Sequence, residues 1–302
     1  MEADPDRPGR PRPLGAPPSQ LSRLPRRAFL AAALVAGCSR RPSARPGAER
    51  VISLSPSTTE AIFAIGAGAR LVGRSEHCDY PGAALALPSV GGYASPDLER
   101  VIALRPDLVV GEQSPVGPAL AERLAEQGIA TLFPPTRSLG EIIAMLHLFG
   151  QRFAAADGAE RITRRIEGQV ARVTRWAADR PRRRVVMVFD AQPLFVAGHG
   201  SYADELLRLA GGDNPVREGG LWPTIDVERL LALDPDVIID ASMAPSADGR
   251  SKLPASPGFE HLRAVREGQV RRLHSDAALR PGPRVGDGLV DLAKLIHGAA
   301  PP

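Results

Sequence analysis

Catalysis and metal binding need reactive side chains at spacings that bring them together. The six histidines are His77, His147, His199, His261, His274 and His297, and no pair stands at a zinc-motif interval. His77 adjoins Cys78 and with it could hold a metal; the plainer alternative is a hydrogen-bonded loop histidine beside a buried thiol. Asp190 and Asp240 close apolar runs, but no base or nucleophile goes with either. No Gly-x-Ser-x-Gly elbow, phosphate-binding loop or dinucleotide fingerprint occurs, and Gly198-His199-Gly200 reads as a turn. These residues point to binding rather than chemistry.

Flat rings are the other resource. Aromatic residues are only 4% of the 302, yet Tyr80, Tyr93, Phe195 and Trp222 fall in loops rich in Gly and Pro. Each is either a small satellite core under its loop or part of a wall for a large ligand with a π or metal-macrocycle face. The composition is globular, with 43% hydrophobic and 24% charged residues, and the length suits two lobes. Net charge is +4, of which +3 lies in residues 1–37, so the body gives no reason to expect nucleic acid. Cys38 and Cys78 alone make no disulfide framework, and no apolar run reaches the roughly 18 residues of a membrane span.

The loops must be carried by a scaffold. Val51–Leu54, Leu71–Gly73, Leu108–Val110 and Thr131–Phe133 read as strands, with helices between them, in a β-α-β rhythm. Ser57-Thr58-Thr59-Glu60 reads as a capping box opening a helix that ends near Gly66. A second box, Ser138-Leu139-Gly140-Glu141, opens some 40 residues of helical pattern to Ala178, with Gly150, Gly158 and Gly168 as places to bend. The rhythm returns with Val185–Phe189, Val237–Ile239 and Val270–Leu273, and a last helix fits Arg284–His297. Residues 97–110 and 226–239 repeat one another at an offset of 129, with seven of 14 positions identical. Six residues before the glutamate of each copy stands an aromatic: Tyr93 before Glu99, Trp222 before Glu228. The expected fold is α/β: two Rossmann-like lobes with parallel sheets, residues 50–137 and 179–302, joined by a single long helix over 138–178. The ligand cleft lies between the lobes, beyond the strands' carboxyl ends.

The N-terminus reads as an address. Arg26-Arg27-Ala28-Phe29-Leu30 resembles a twin-arginine export signal, and Leu34-Val35-Ala36-Gly37-Cys38 a bacterial lipobox. The alternative is a short core helix ending in Cys. Residues 1–37 are expected to be a signal peptide, Cys38 the lipidated residue, and the segment to Glu49 a tether, which makes the protein a periplasmic lipoprotein anchored to the cell membrane by its acyl chains.

The body also resembles a known family. Leu54-Ser55-Pro56-Ser57-Thr58-Thr59-Glu60, Cys78-Asp79-Tyr80-Pro81, residues 99–109 and Gly211-Gly212-Asp213-Asn214 resemble the cobalamin substrate-binding proteins of ABC importers, in the helical-backbone class that also binds siderophores and haem. The likeness covers about residues 50–298. It implies that Tyr93, Phe195 and Trp222 hold the corrin, that His77 stands where the family can have a tyrosine, and that Asp276 and Arg280 meet the ligand's amides. It implies docking of Glu99 and Glu228 on a permease dimer. No resident cofactor or metal is implied, and the protein is read as a monomer that performs no reaction. Other readings stay open: an ordinary surface ion pair for Asp276 and Arg280; a helix-dipole role for each glutamate; haem, with His77 or Tyr93 as axial ligand; a ferric siderophore; an orphan sensor; a periplasmic enzyme.

Overall fold

Short apolar runs punctuated by Pro, Gly and Asp can bury both faces only as central parallel strands, and the chain uses them so in two sheets. The computed structural model describes residues 50–114, 117–242 and 249–301. The expected signal peptide, Cys38 and the tether lie outside the described residues.

The N-lobe contains β1 (Val51–Ser53), α1 (Pro56–Ala64), β2 (Leu71–Arg74), α2 (Leu98–Ala103), β3 (Leu108–Val110), α3 (Gly117–Glu126) and β4 (Ala130–Leu132). Its sheet runs β2-β1-β3-β4, all parallel, with Val51 opposite Leu108 and Val109 opposite Thr131. Two helices follow, α4 (Leu139–Arg152) and α5 (Ala156–Ala178). The C-lobe contains β5 (Arg183–Ala191), β6 (Leu194–Val196), α6 (Tyr202–Leu209), β7 (Gly212–Asp213), α7 (Val227–Leu233), β8 (Val237–Asp240), α8 (Arg263–Arg266), β9 (Val270–Arg272) and α9 (Val285–His297). Here β5, β8 and β9 are parallel, β6 folds back antiparallel on β5, and β7 pairs with the start of β5.

Alternate strand residues feed different cores. Val51, Leu108, Val185, Met187, Val237 and Ile239 share one apolar cluster with the inner faces of α4, α5 and α9. Ile52 and Val109 turn to a second cluster in the N-lobe, Val186 and Ile238 to a third in the C-lobe. The shared cluster runs through both lobes because α5 carries one stripe of buried residues, Ala159, Thr163, Ile166, Val173 and Ala177, along its length.

The expected 40-residue helix is therefore two. It breaks at Phe153–Ala155, where Ala154 takes a left-handed φ of 54°. The chain reverses there, packing α4 on α5 with the Phe149 and Phe153 rings 5.7 Å apart, and α5 alone links the lobes. Two of the three glycines serve close approach rather than bending. A Cβ on Gly150 would lie 2.6 Å from that of Ala159, and one on Gly158 would collide with the Ile65 carbonyl oxygen. Gly168 faces open space.

The first capping box is also displaced. The N-cap of α1 is Ser55, whose hydroxyl accepts from the Thr58 amide, because Pro56 has no N–H to satisfy and a φ suited to the first helical position. Glu60 is thereby released from capping. The second cap stands as expected, with Ser138 accepting from the Glu141 amide at 3.2 Å.

The repeat is structural down to its ends. Asp97 and Asp226 cap α2 and α7. Arg105 and Asp234, at matching positions, take left-handed φ of 46° and 38°. Asp107 accepts from the Arg50 amide and Asp236 from the Arg184 amide, while the same two arginines donate to the carbonyls closing α2 and α7.

The glycines of α5 give a paired prediction. Gly168→Ala should raise stability by about 0.5–1 kcal/mol. Gly158→Ala should lower it by about 1–3 kcal/mol through the forced contact with Ile65. Urea titration of the two variants reads both.

Candidate functional site

The loops leaving the carboxyl ends of β2 and β9 meet through charge. Glu60 of α1 is 2% exposed and takes a two-pronged contact from Arg284, Nε to Oε2 at 2.7 Å and Nη2 to Oε1 at 2.6 Å. Arg280 reaches the same Oε1 at 3.1 Å and Asp79 at 2.7 Å. Asp276 receives both guanidinium groups, from Arg280 Nε and Arg284 Nη1, each at 2.8 Å. Arg284 also lies over the Tyr80 ring, 4.1 Å from its centroid. Two arginines of the C-lobe thus bind two carboxylates and a ring of the N-lobe. The hydrogen bond from Arg280 holds the Asp79 carboxyl below its ordinary value, against the opposing effect of burial.

The second feature is aromatic. Phe195 and Trp222 stack at 6.3 Å with 28° between their planes, and Phe189 meets both edgewise, 6.1 Å from Phe195 and 5.3 Å from Trp222. Trp222 is placed by backbone. The segment Leu221–Ile225 lies along β6, with Val196 N–H donating to Pro223, Gly198 to Leu221 and Ile225 to Leu194. Gly219 and Gly220, with φ of 93° and 87°, bend the chain into that position, and the Gly220 carbonyl packs where a side chain on Gly198 would sit. Trp222 remains 42% exposed.

The third feature is the cleft floor of the N-lobe. Tyr93, in the Gly91–Pro96 turn, is half-buried and donates its hydroxyl to the Glu112 carbonyl at 3.2 Å. Burial pushes its phenol up. Glu112 follows β3, and its Oε1 accepts from the buried Ser57 hydroxyl. Burial raises this carboxyl too.

Of the nominated residues, Phe195 joins Trp222, and Tyr80 joins Asp276 and Arg280. Arg280 joins the lobes through Glu60 and Asp79, and Asp276 braces it and Arg284 from their own lobe, in a cluster richer than a surface ion pair. Tyr93 belongs to the floor. His77 stands apart, exposed, 3.5 Å from Glu76, whereas the Cys78 thiol is buried against Ser75 at 3.2 Å. The two neighbours thus face different surroundings. Among the described residues no cluster of three His, Cys, Asp or Glu could hold a metal ion, and no helix is long and apolar enough to cross a membrane. Asp190 and Asp240 accept from the amides of Gln192 and Ser242 and form turns. Glu99 and Glu228 lie exposed in the first turns of α2 and α7. A groove of about 460 Å³ lined by Gly66, Arg70, Phe153 and Ala155 lies beside the helix break, past the C-terminus of α1 and so at the amino ends of the strands.

Four residues escaped sequence reading. Glu60 fits a capping box and Phe189 a strand interior in the sequence alone. Arg284 completes an i, i+4, i+8 series with Asp276 and Arg280, a spacing open to reading. Glu112 stands two residues past the end of β3, the other legible signal.

Charge neutralisation of Glu60 should cost much. Glu60→Gln leaves two guanidinium groups, only 14% and 18% exposed, short of their shared partner, and should destabilise by about 3–5 kcal/mol in urea titration. Asp79, 57% exposed, should be worth at most about 1 kcal/mol. Its carboxyl is depressed, so its contribution is full above about pH 4 and fades as pH falls through the depressed value. Asp79→Asn should flatten that acid limb.

Comparison with known proteins agrees with this architecture. A family model described as periplasmic binding protein matches residues 51–277. A vitamin B12-binding protein of Yersinia pseudotuberculosis is 31% identical over 206 residues, 68% of this chain and 73% of that one. The periplasmic vitamin B12 binding protein BtuF of Vibrio cholerae superposes with a TM-score of 0.72 at 27% identity, covering 82% of this chain and 96% of that one. A periplasmic heme binding protein of Pseudomonas aeruginosa superposes at 0.74 with 28% identity, covering 84% and 94%.

Proposed function

The chain belongs to the periplasmic binding protein family, and from that premise we propose that it captures cobalamin or a related corrinoid between its lobes and delivers it to an ABC importer. The observation that carries this reading is the Phe189–Phe195–Trp222 cluster, which leaves an indole 42% exposed on a loop held by backbone hydrogen bonds. Such a surface gains by covering a broad, partly apolar ring system. The likeness to two vitamin B12-binding proteins supports the same ligand class.

Haem is the second ligand to weigh, since a heme binding protein is also similar. The site favours it less. A tyrosine ligand to ferric iron binds as phenolate, and Tyr93 is half-buried with its hydroxyl donated to a carbonyl and its phenol pushed up. His77 is exposed beside Glu76.

Delivery rests on the repeat. Glu99 and Glu228 occupy the same position of the same capped module, one per lobe, and both are exposed. That arrangement suits a two-fold permease surface bearing cations, where the pairs would set register and encounter rate. Anchoring rests on the lipobox ending at Cys38 and agrees with a periplasmic location.

Calorimetry with cyanocobalamin, and with hemin as control, tests the ligand. One-to-one binding of cyanocobalamin is expected, weakened tenfold or more in Trp222→Ala, from the loss of about 1.5–3 kcal/mol of ring burial. Binding of hemin alone would move the assignment to haem. Uptake should fail in the double variant Glu99→Ala, Glu228→Ala with affinity unchanged. Cys38→Ser should shift the protein from the membrane fraction to the soluble one.

A further inference from the structure

Glu112 is a carboxylate of the cleft floor that no cation among the described residues holds. It leaves the carboxyl end of β3, where parallel sheets present groups to a ligand. Its Oε1 is taken by Ser57, and among the described residues no arginine or lysine contributes to its electrostatics. Tyr93 hangs from its carbonyl. Across the floor, Tyr202 at the start of α6 feels the charge of both Glu112 and Glu205. The Tyr202 hydroxyl is buried and has no hydrogen-bond partner among the described residues. The floor therefore offers a carboxyl oxygen, and among the described residues no arginine or lysine stands against it. Arg280 and Arg284, where the two lobes meet, are already committed to Glu60, Asp79 and Asp276.

We propose that Glu112 sets ligand specificity, accepting from the neutral carboxamides of a corrinoid periphery and rejecting ligands that bring carboxylates to the floor. This rests on the corrinoid reading above and narrows it. An amide N–H donates to the free oxygen of Glu112. A carboxylate in the same place meets a like charge with its hydration removed. Burial already raises the Glu112 carboxyl, a sign that the floor resists one negative charge and would resist a second more strongly.

The experiment compares dicyanocobinamide, whose periphery is amides, with dicyanocobyrinic acid, whose periphery is carboxylates, by calorimetry near pH 8. The parent protein should favour the amide ligand by tenfold or more. Glu112→Gln keeps an acceptor for Ser57 and removes the charge, and should narrow that preference at least tenfold, chiefly by tighter binding of the acid. Glu112→Ala is read the same way, so that one poorly folded variant does not end the test. Unchanged preference in a variant that still binds cyanocobalamin overturns this inference and leaves the corrinoid reading intact. No corrinoid binding by the parent overturns both.

Discussion

A carboxylate removed from water demands partners, and Glu60 finds both of its partners on the other lobe. One lobe supplies the buried anion and the other the two guanidinium groups, so neither half is electrostatically complete alone. The pairing is two-pronged from Arg284, which fixes direction as well as distance. Burial of such a pair adds little to net stability, since desolvation offsets most of the attraction. Its consequence here is geometric, setting the loops after β2 and β9 against each other and with them one end of the cleft.

The apolar core enforces the same arrangement from behind. One cluster of buried side chains runs from β1 and β3 through α5 to β5, β8 and α9. Bending the lobes apart would open that cluster, and packed interiors yield poorly to deformation. A cleft held by a shared core and an ion cluster is organised before the ligand arrives, so little binding energy is consumed in ordering it. In the proposed reading the two walls then divide the work, with rings on the C-lobe loops and the floor carboxyl opposite them.

Much of this was legible in residues. The strand runs, the repeat and the final helix lie within a residue or two of their observed bounds, because parallel strands are continuous apolar runs and Asp caps are local. Phe195 and Trp222 stood out because rings are scarce in this chain. Other features resisted reading because the decisive neighbour is far away in sequence. Glu60 satisfies the capping-box pattern, and only a partner 220 and 224 residues on shows another use. The stretch over 138–178 keeps helical periodicity across its break, since the reversal at Ala154 comes from packing α4 on α5. His77 and Cys78 adjoin in sequence but face different surroundings.

The sequence by itself determined the family pattern, the two-lobed α/β architecture, the repeated capped module and the aromatic residues available to a ligand. The family pattern rests on the resemblance of its motifs, and the rest follows from periodicity, caps and composition, which act over a few residues. Tertiary structure alone decided which rings stack, that Arg280 and Arg284 join the lobes, that His77 stays outside the cluster and that no cation among the described residues meets Glu112. The stack joins Phe195 to Trp222 and the ion cluster joins residues more than 200 positions apart, and no local pattern specifies either.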